Sequence, residues 1–258
     1  MKLGYDSHFV SPLMKSQLNH SIPLVVDAFA APQSLSSFVH IIISSLHIAN
    51  RYGKFLSLDF SLYYNGTVYS NEFKTGTIVE GVRVLKFVLP ALVNVSFIHV
   101  NISDASGGEF YPNLYIQVLP HQKKNGIGVC ALLSDYNSVY EVKDWIAWYK
   151  YQGLKNVLLY AIRYVPKTER IIAPVVNSGF ARVYQFQWPL RKRRRLVQES
   201  IQHAQINSCF YRHKYEFDGL LFIDLDEFLY SMRTPHDLNQ TIYRILRSRK
   251  GDYFRVLY

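Results

Sequence analysis

Apolar and polar residues alternate in short runs through the first part of the chain. The stretches 38–43, 55–64, 81–89, 95–100 and 114–119 look like short strands, many of them alternating or β-branched, the period of a strand with one buried face. Asn65-Gly66 and Ser106-Gly107-Gly108 supply turn chemistry between them. Strands at this spacing predict a mostly-β, sandwich-like domain over residues 1–122, with no catalytic constellation in it. Residues 120–126, rich in polar residues and bounded by Pro120 and Gly126, read as a linker.

The period then changes. A strand over 127–133 is followed by a helix over 140–152, with Val142, Ile146 and Tyr149 on one face and Gly153 as its stop. The next strand, 157–160, completes a βαβ unit and hence a parallel pair with a right-handed crossover. Thr168 is placed to cap a second helix ending before Gly179, and a strand over 181–187 follows. A long helix over 196–213 leads to the apolar run 220–223. Thr234-Pro235 opens a last helix with Leu238, Ile242 and Leu246 inward, Gly251 ends it, and 253–258 begins a strand. Alternating strands and helices predict an α/β nucleotide-binding domain over 123–258, incomplete at its C-terminal end.

One stretch of this domain carries chemistry. Leu220-Leu221-Phe222-Ile223 reads as a strand buried on both faces, and it runs straight into Asp224-Leu225-Asp226-Glu227. Alternation along a strand points Asp224 and Asp226 the same way, roughly 6–7 Å apart. Adjacent carboxylates repel unless a cation or a shared proton relieves them. Hard oxygen ligands suit Mg²⁺ or Mn²⁺, and the carboxyl ends of such strands are where α/β sheets bind ligands. The stretch therefore predicts a divalent-metal site for a phosphorylated ligand. Glu227 is read chiefly as support for the fold.

Charge and composition narrow the class. The net charge of +10 favours anionic partners, and the run Arg191-Lys192-Arg193-Arg194-Arg195 supplies half of it. A nucleic-acid binder needs basic residues spread over a face among aromatics, and one compact run does not provide that. Cys130 and Cys209, the only cysteines, give neither a disulfide framework nor a zinc cluster, and their pairing is open at this stage. No signal sequence or membrane span is visible. Five N-glycosylation sequons, at Asn19, Asn65, Asn94, Asn101 and Asn239, exceed the one or two roughly expected by chance and point to the Golgi or secretory-pathway lumen. The targeting segment or membrane anchor is then expected upstream.

Several features line up in order. Val129-Cys130-Ala131 is followed by Glu141-x-x-Asp144-Trp145, Tyr149-x-x-x-Gly153 and Trp188-Pro189. Gln202-x-x-x-x-Asn207-x-Cys209-x-x-Arg212 and Asp224-x-Asp226-Glu227-Phe228 complete the set. The ensemble resembles glycosyltransferase family 92 over roughly residues 127–258. That resemblance implies a GT-A-type nucleotide-sugar domain and an inverting transfer of a hexose, galactose in the typical case, from a UDP-sugar donor to a glycan acceptor. It implies Mn²⁺ (or Mg²⁺) as cofactor, with Asp226 as metal ligand and Asp224 on the ribose or a metal-bound water. Backbone groups of Ala131, Leu133 and Ser134 would face the nucleobase, and Gln202 and Asn207 the donor. Gln198, Gln202, Gln205 and Cys209 recur at helical spacing, which a solvent-facing polar stripe explains equally well. Trp145, Trp148 and Tyr149 read as core packing, and the Arg191–Arg195 run as a solvated helix start.

The pattern also departs from the family. Ala161 follows Tyr160 where an acidic or amide residue is usual, Asp144 stands for a glutamate, Ser200 for the Gly of a Gly-Gln pair, and Ser208 for an Asp or His. The catalytic base is expected beyond Tyr258. A truncated, inactive transferase that binds glycan or nucleotide sugar is the alternative. A haloacid dehalogenase-type phosphatase wants Thr or Val where Phe228 stands.

Overall fold

The computed structural model describes residues 24–32, 35–44, 60–70, 82–104, 109–120, 124–133, 139–161, 166–185, 195–232 and 236–248. Ser134, the basic run before Arg195, Thr234-Pro235 and the strand expected at 253–258 lie outside them. The chain divides into two compact units. Among the described residues, those up to 120 join with Tyr184–Glu216 in one, and Lys124–Val183 join with the residues from Phe217 onward in the other. The described residues of Tyr184–Glu216 follow the βαβ unit in sequence, yet they cluster with the N-terminal strands.

In the first unit, β1 (Leu24–Pro32), β2 (Ser36–Ser44), β3 (Phe60–Tyr64), β4 (Thr67–Ser70), β5 (Val82–Pro90), β6 (Phe97–Asp104) and β7 (Glu109–Val118) form one sheet. Its order is β4-β3-β6-β7-β1-β2-β5, antiparallel throughout except where β1 runs parallel to β7. The terminal strands β4 and β5 touch, so the sheet curls round on itself. Where two stacked sheets were expected, the strands hydrogen-bond into one continuous sheet, because β1 bridges β7 and β2. That bridging strand had no alternating signature: it holds Asp27 and three alanines.

One face of the curl packs Ala28, Ala30, Val39, Ile41, Leu85, Phe87, Ile98, Val100, Leu114 and Ile116 into a single core. The opposite side of β1 and β2 is covered by α3 (Arg195–His213). Asp27 is fully buried there and accepts hydrogen bonds from Ser208 Oγ and Arg212 Nη2, the latter at 2.6 Å. The Arg212 guanidinium also lies over the rings of Phe29 and Tyr184, at 4.4 and 5.3 Å. A carboxylate buried without partners would be prohibitive; this one has a full counter-charge and a hydroxyl.

In the second unit, β8 (Ile127–Leu133), α1 (Val139–Tyr151), β9 (Asn156–Ala161), α2 (Pro166–Asn177), β10 (Ala181–Gln185), β11 (Gly219–Phe222) and α4 (Leu238–Ser248) follow in turn. The sheet order is β10-β9-β8-β11, with β9 and β11 both parallel to β8. Every residue of β9 is buried, as a parallel strand covered on both faces should be. Gly153 ends α1 at φ +76, with Leu154 N bonded back to Tyr149 O. Asp237 caps α4 by accepting from Gln240 N at 2.9 Å. The run 220–223 departs from expectation. Among the described residues β11 is an edge strand, its residues are only half-buried, and Phe222 is 37% exposed.

Candidate functional site

The site begins where β11 ends. β11 pairs with β8 from Gly219↔Ile127 to Phe222↔Cys130, and Ile223 N continues the ladder to Cys130 O at 3.1 Å. β8 runs on through Ala131 and Leu133, so these residues and Asp224 share the carboxyl edge of the sheet. The strand does not continue through the acidic motif as the sequence suggested. Glu227 N bonds to Asp224 O at 3.1 Å and closes a turn. The alternation nevertheless survives: Ile223 and Leu225 sink into the core while Asp224 and Asp226 are exposed. Burying the two apolar residues is what turns both carboxylates outward.

The turn is gripped through its main chain by α1. Trp145 Nε1 donates to both Asp224 O, at 3.0 Å, and Glu227 O, at 3.1 Å. Tyr149 Oη donates to Glu227 O at 3.1 Å and accepts from Leu229 N at the same distance. Trp148 Nε1 donates to Leu229 O at 2.9 Å. Trp145 and Tyr149 are fully buried and meet edge-on with ring centroids 4.6 Å apart, so the donors are themselves fixed. Glu227 closes the turn from within, its Oε2 accepting from Asp224 N at 3.1 Å. Trp145 and Tyr149 are core residues, as expected, and Trp148 is partly buried against that core. Their second role as a clamp on the acidic turn was not foreseen; the i, i+3, i+4 spacing of residues with N–H and O–H tips was the available signal.

The remaining candidates fall in different places. Ala131 and Leu133 are buried with side chains in the core, so they offer a ligand only backbone groups. Gln202 and Asn207 lie on α3, in the other unit. Gln202 is half-buried, and Asn207 Nδ2 bonds back to His203 O at 2.8 Å, within its own helix. Other members of the same motif have structural work. Arg212 and Ser208 hold Asp27, while Cys209 and Cys130 are both disulfide-bonded.

A sequence profile of Glycosyltransferase family 92 matches residues 125–254, half of the chain, including β8, α1, α3, β11 and the acidic turn. The chain belongs to glycosyltransferase family 92. No curated protein matches this family 92 chain. Among solved structures it is similar to an FMN-binding beta-glucuronidase from Facaelibacterium prausnitzii L2-6, at 10% identity and a TM-score of 0.24. That match covers 80% of this chain and 34% of the other, so this chain spans about a third of that protein's length, and so loose a likeness carries no argument.

The turn of this family 92 member fits a small hard cation. It presents two exposed carboxylates and leaves the rest of a coordination sphere to phosphate and water, as magnesium-type sites do. Among the described residues no three His, Cys, Asp or Glu side chains gather, so a closed all-protein cage of the structural-zinc kind is not on offer.

Proposed function

We propose that this chain carries out a metal-dependent, inverting transfer of a hexose, galactose in our reading, from a UDP-sugar to a glycan. The α/β unit would serve as a GT-A-type donor domain. One observation carries the reading: in a glycosyltransferase-family chain, Asp224 and Asp226 stand exposed at the carboxyl end of β11 on a turn that buried aromatics hold in shape. Asp226, with Asp224 beside it, would hold Mn²⁺ or Mg²⁺. Such a cation supplies charge neutralisation to a diphosphate leaving group. The chain's own part is to keep the two carboxylates apart and outward, and to set the backbone of Ala131 and Leu133 along the same edge. Inversion requires the acceptor oxygen to attack the sugar's anomeric carbon opposite the departing UDP while a base takes its proton.

We place this chemistry in the secretory-pathway lumen. The five sequons and the absence of a free cysteine support that placement, since disulfides persist in oxidising compartments. No helix among the described residues is long and apolar enough to cross a membrane. The test is calorimetric titration of UDP with Mn²⁺ and again with EDTA, on the unsubstituted chain and on Asp226→Asn. Binding that needs both metal and Asp226 is the expected result. Equal affinity in EDTA, or in Asp226→Asn, would remove the metal site from the proposal.

A further inference from the structure

The five sequons are not equivalent in the fold. Asn65 is the first residue of the two-residue loop between β3 and β4, with φ +49 followed by Gly66 at φ +76, the left-handed pair of a tight hairpin turn. Asn65, Gly66 and Thr67 are all exposed. Asn94 also has positive φ, +57, in the loop from β5 to β6, where residues 93–96 are all exposed. Both therefore offer the carboxamide and the hydroxyl two residues on from exposed positions. Asn101 lies within β6, its Oδ1 accepts from Asn113 N at 2.7 Å, and its hydroxyl partner Ser103 is 2% exposed. Asn239 is the second residue of α4, and its Oδ1 is buried. Asn19 lies outside the described residues.

We propose that Asn65 and Asn94 are N-glycosylation sites and that Asn101 and Asn239 are not. The co-substrate is a lipid pyrophosphate-linked oligosaccharide. A bond forms between Asn Nδ2 and C1 of its first sugar, the C1–O bond to pyrophosphate breaks, the lipid pyrophosphate leaves, and the amide nitrogen gives up one proton. A glycan on Asn65 or Asn94 would extend from residues that are already exposed. One on Asn239 would have to be accommodated at the packed start of α4, and one on Asn101 at the strand's bond to Asn113. The assignment rests on the lumenal placement above, and a forced secretion experiment separates the two.

The full chain, carrying Asn19→Gln, is to be secreted from cultured animal cells behind a cleavable leader, treated with peptide N-glycosidase, and followed by gel mobility and peptide mapping. Two glycans are expected. Asn65→Gln and Asn94→Gln each remove one, and Asn239→Gln removes none. Peptide mapping of the otherwise unsubstituted secreted chain gives the same answer if a variant fails to leave the cell. An unmodified Asn65 or Asn94 in secreted protein, or a glycan on Asn101 or Asn239, would overturn the assignment. A native location outside the lumen would overturn only the placement.

Discussion

Single side chains decide much of this molecule's behaviour. The Tyr149 hydroxyl serves two backbone atoms of the acidic turn at once. Tyr149→Phe keeps the ring and strips both bonds: the Leu229 N–H loses its hydroxyl partner, while the Glu227 carbonyl keeps Trp145 Nε1. The expected loss is about 1–3 kcal/mol in urea unfolding, together with weaker metal-dependent UDP binding. His40 is buried in the other unit between the rings of Phe29, at 5.4 Å, and Tyr211, at 4.8 Å. Burial, then the charges of Lys214 and Lys86, lower its pKa from 6.5 to about 3. Below 6.5 the unfolded chain takes the proton and the folded one does not, so His40 leaves stability intact above that pH and erodes it as pH falls from 6.5 toward 3. The slope is at most about 1.4 kcal/mol per pH unit. Unfolding midpoints of the unsubstituted chain should fall between pH 7 and pH 5, and those of His40→Phe should fall by less. The Asp-x-Asp pair and its outward aspect were legible because the flanking Ile223 and Leu225 are apolar. The clamp was not, because a Trp or Tyr in a helix pattern announces burial, and only its tip announces a partner.

At the scale of elements, α1 and α3 read faithfully, whereas α2 starts at Pro166, ahead of its expected cap Thr168, which is buried inside it. α1 and α3 each begin and end within one residue of the periodic pattern, and Gly153 stops α1 as a left-handed glycine does. β1 escaped because it lacks alternation, and its parallel pairing with the distant β7 leaves no local signal; its other partner, β2, is the next strand in sequence. β11 was read as doubly buried because four apolar residues cannot say how many neighbours a strand has. The attachment of α3 is equally non-local. Gln202 and Asn207 are its residues read as donor contacts; Arg212 and Ser208, assigned no role from sequence, serve the buried Asp27 on β1. Arg212→Met should leave that carboxylate with the Ser208 hydroxyl and without its counter-charge. A loss of about 3–5 kcal/mol in chemical denaturation is expected, larger than for the double change Asp27→Leu/Arg212→Met.

For the whole molecule, the family 92 region covers the α/β unit's described elements and α3, while the curled sheet of the N-terminal strands lies outside it. The sequence's change of period near residue 122 marks where β-rich chain gives way to βα alternation, but it could not show that Tyr184–Glu216 returns to the first unit. A helix carries no sign of which sheet it will cover until a charge pair such as Arg212 and Asp27 is formed. A corollary is that α3 and the N-terminal strands should be lost together: hydrogen exchange should report one level of protection for β1, β2 and α3.

The grip on the acidic turn has a consequence for how such a site changes over time. The hydrogen bonds that α1 makes to the turn all reach main-chain atoms, three carbonyls and an amide, which every substitution short of proline retains. The shape of the loop is thus separated from the identity of residues 224 and 226, whereas Phe228 meets the Trp148 ring edge-on. Mutation can explore new side chains there one at a time without first having to invent a new backbone to carry them.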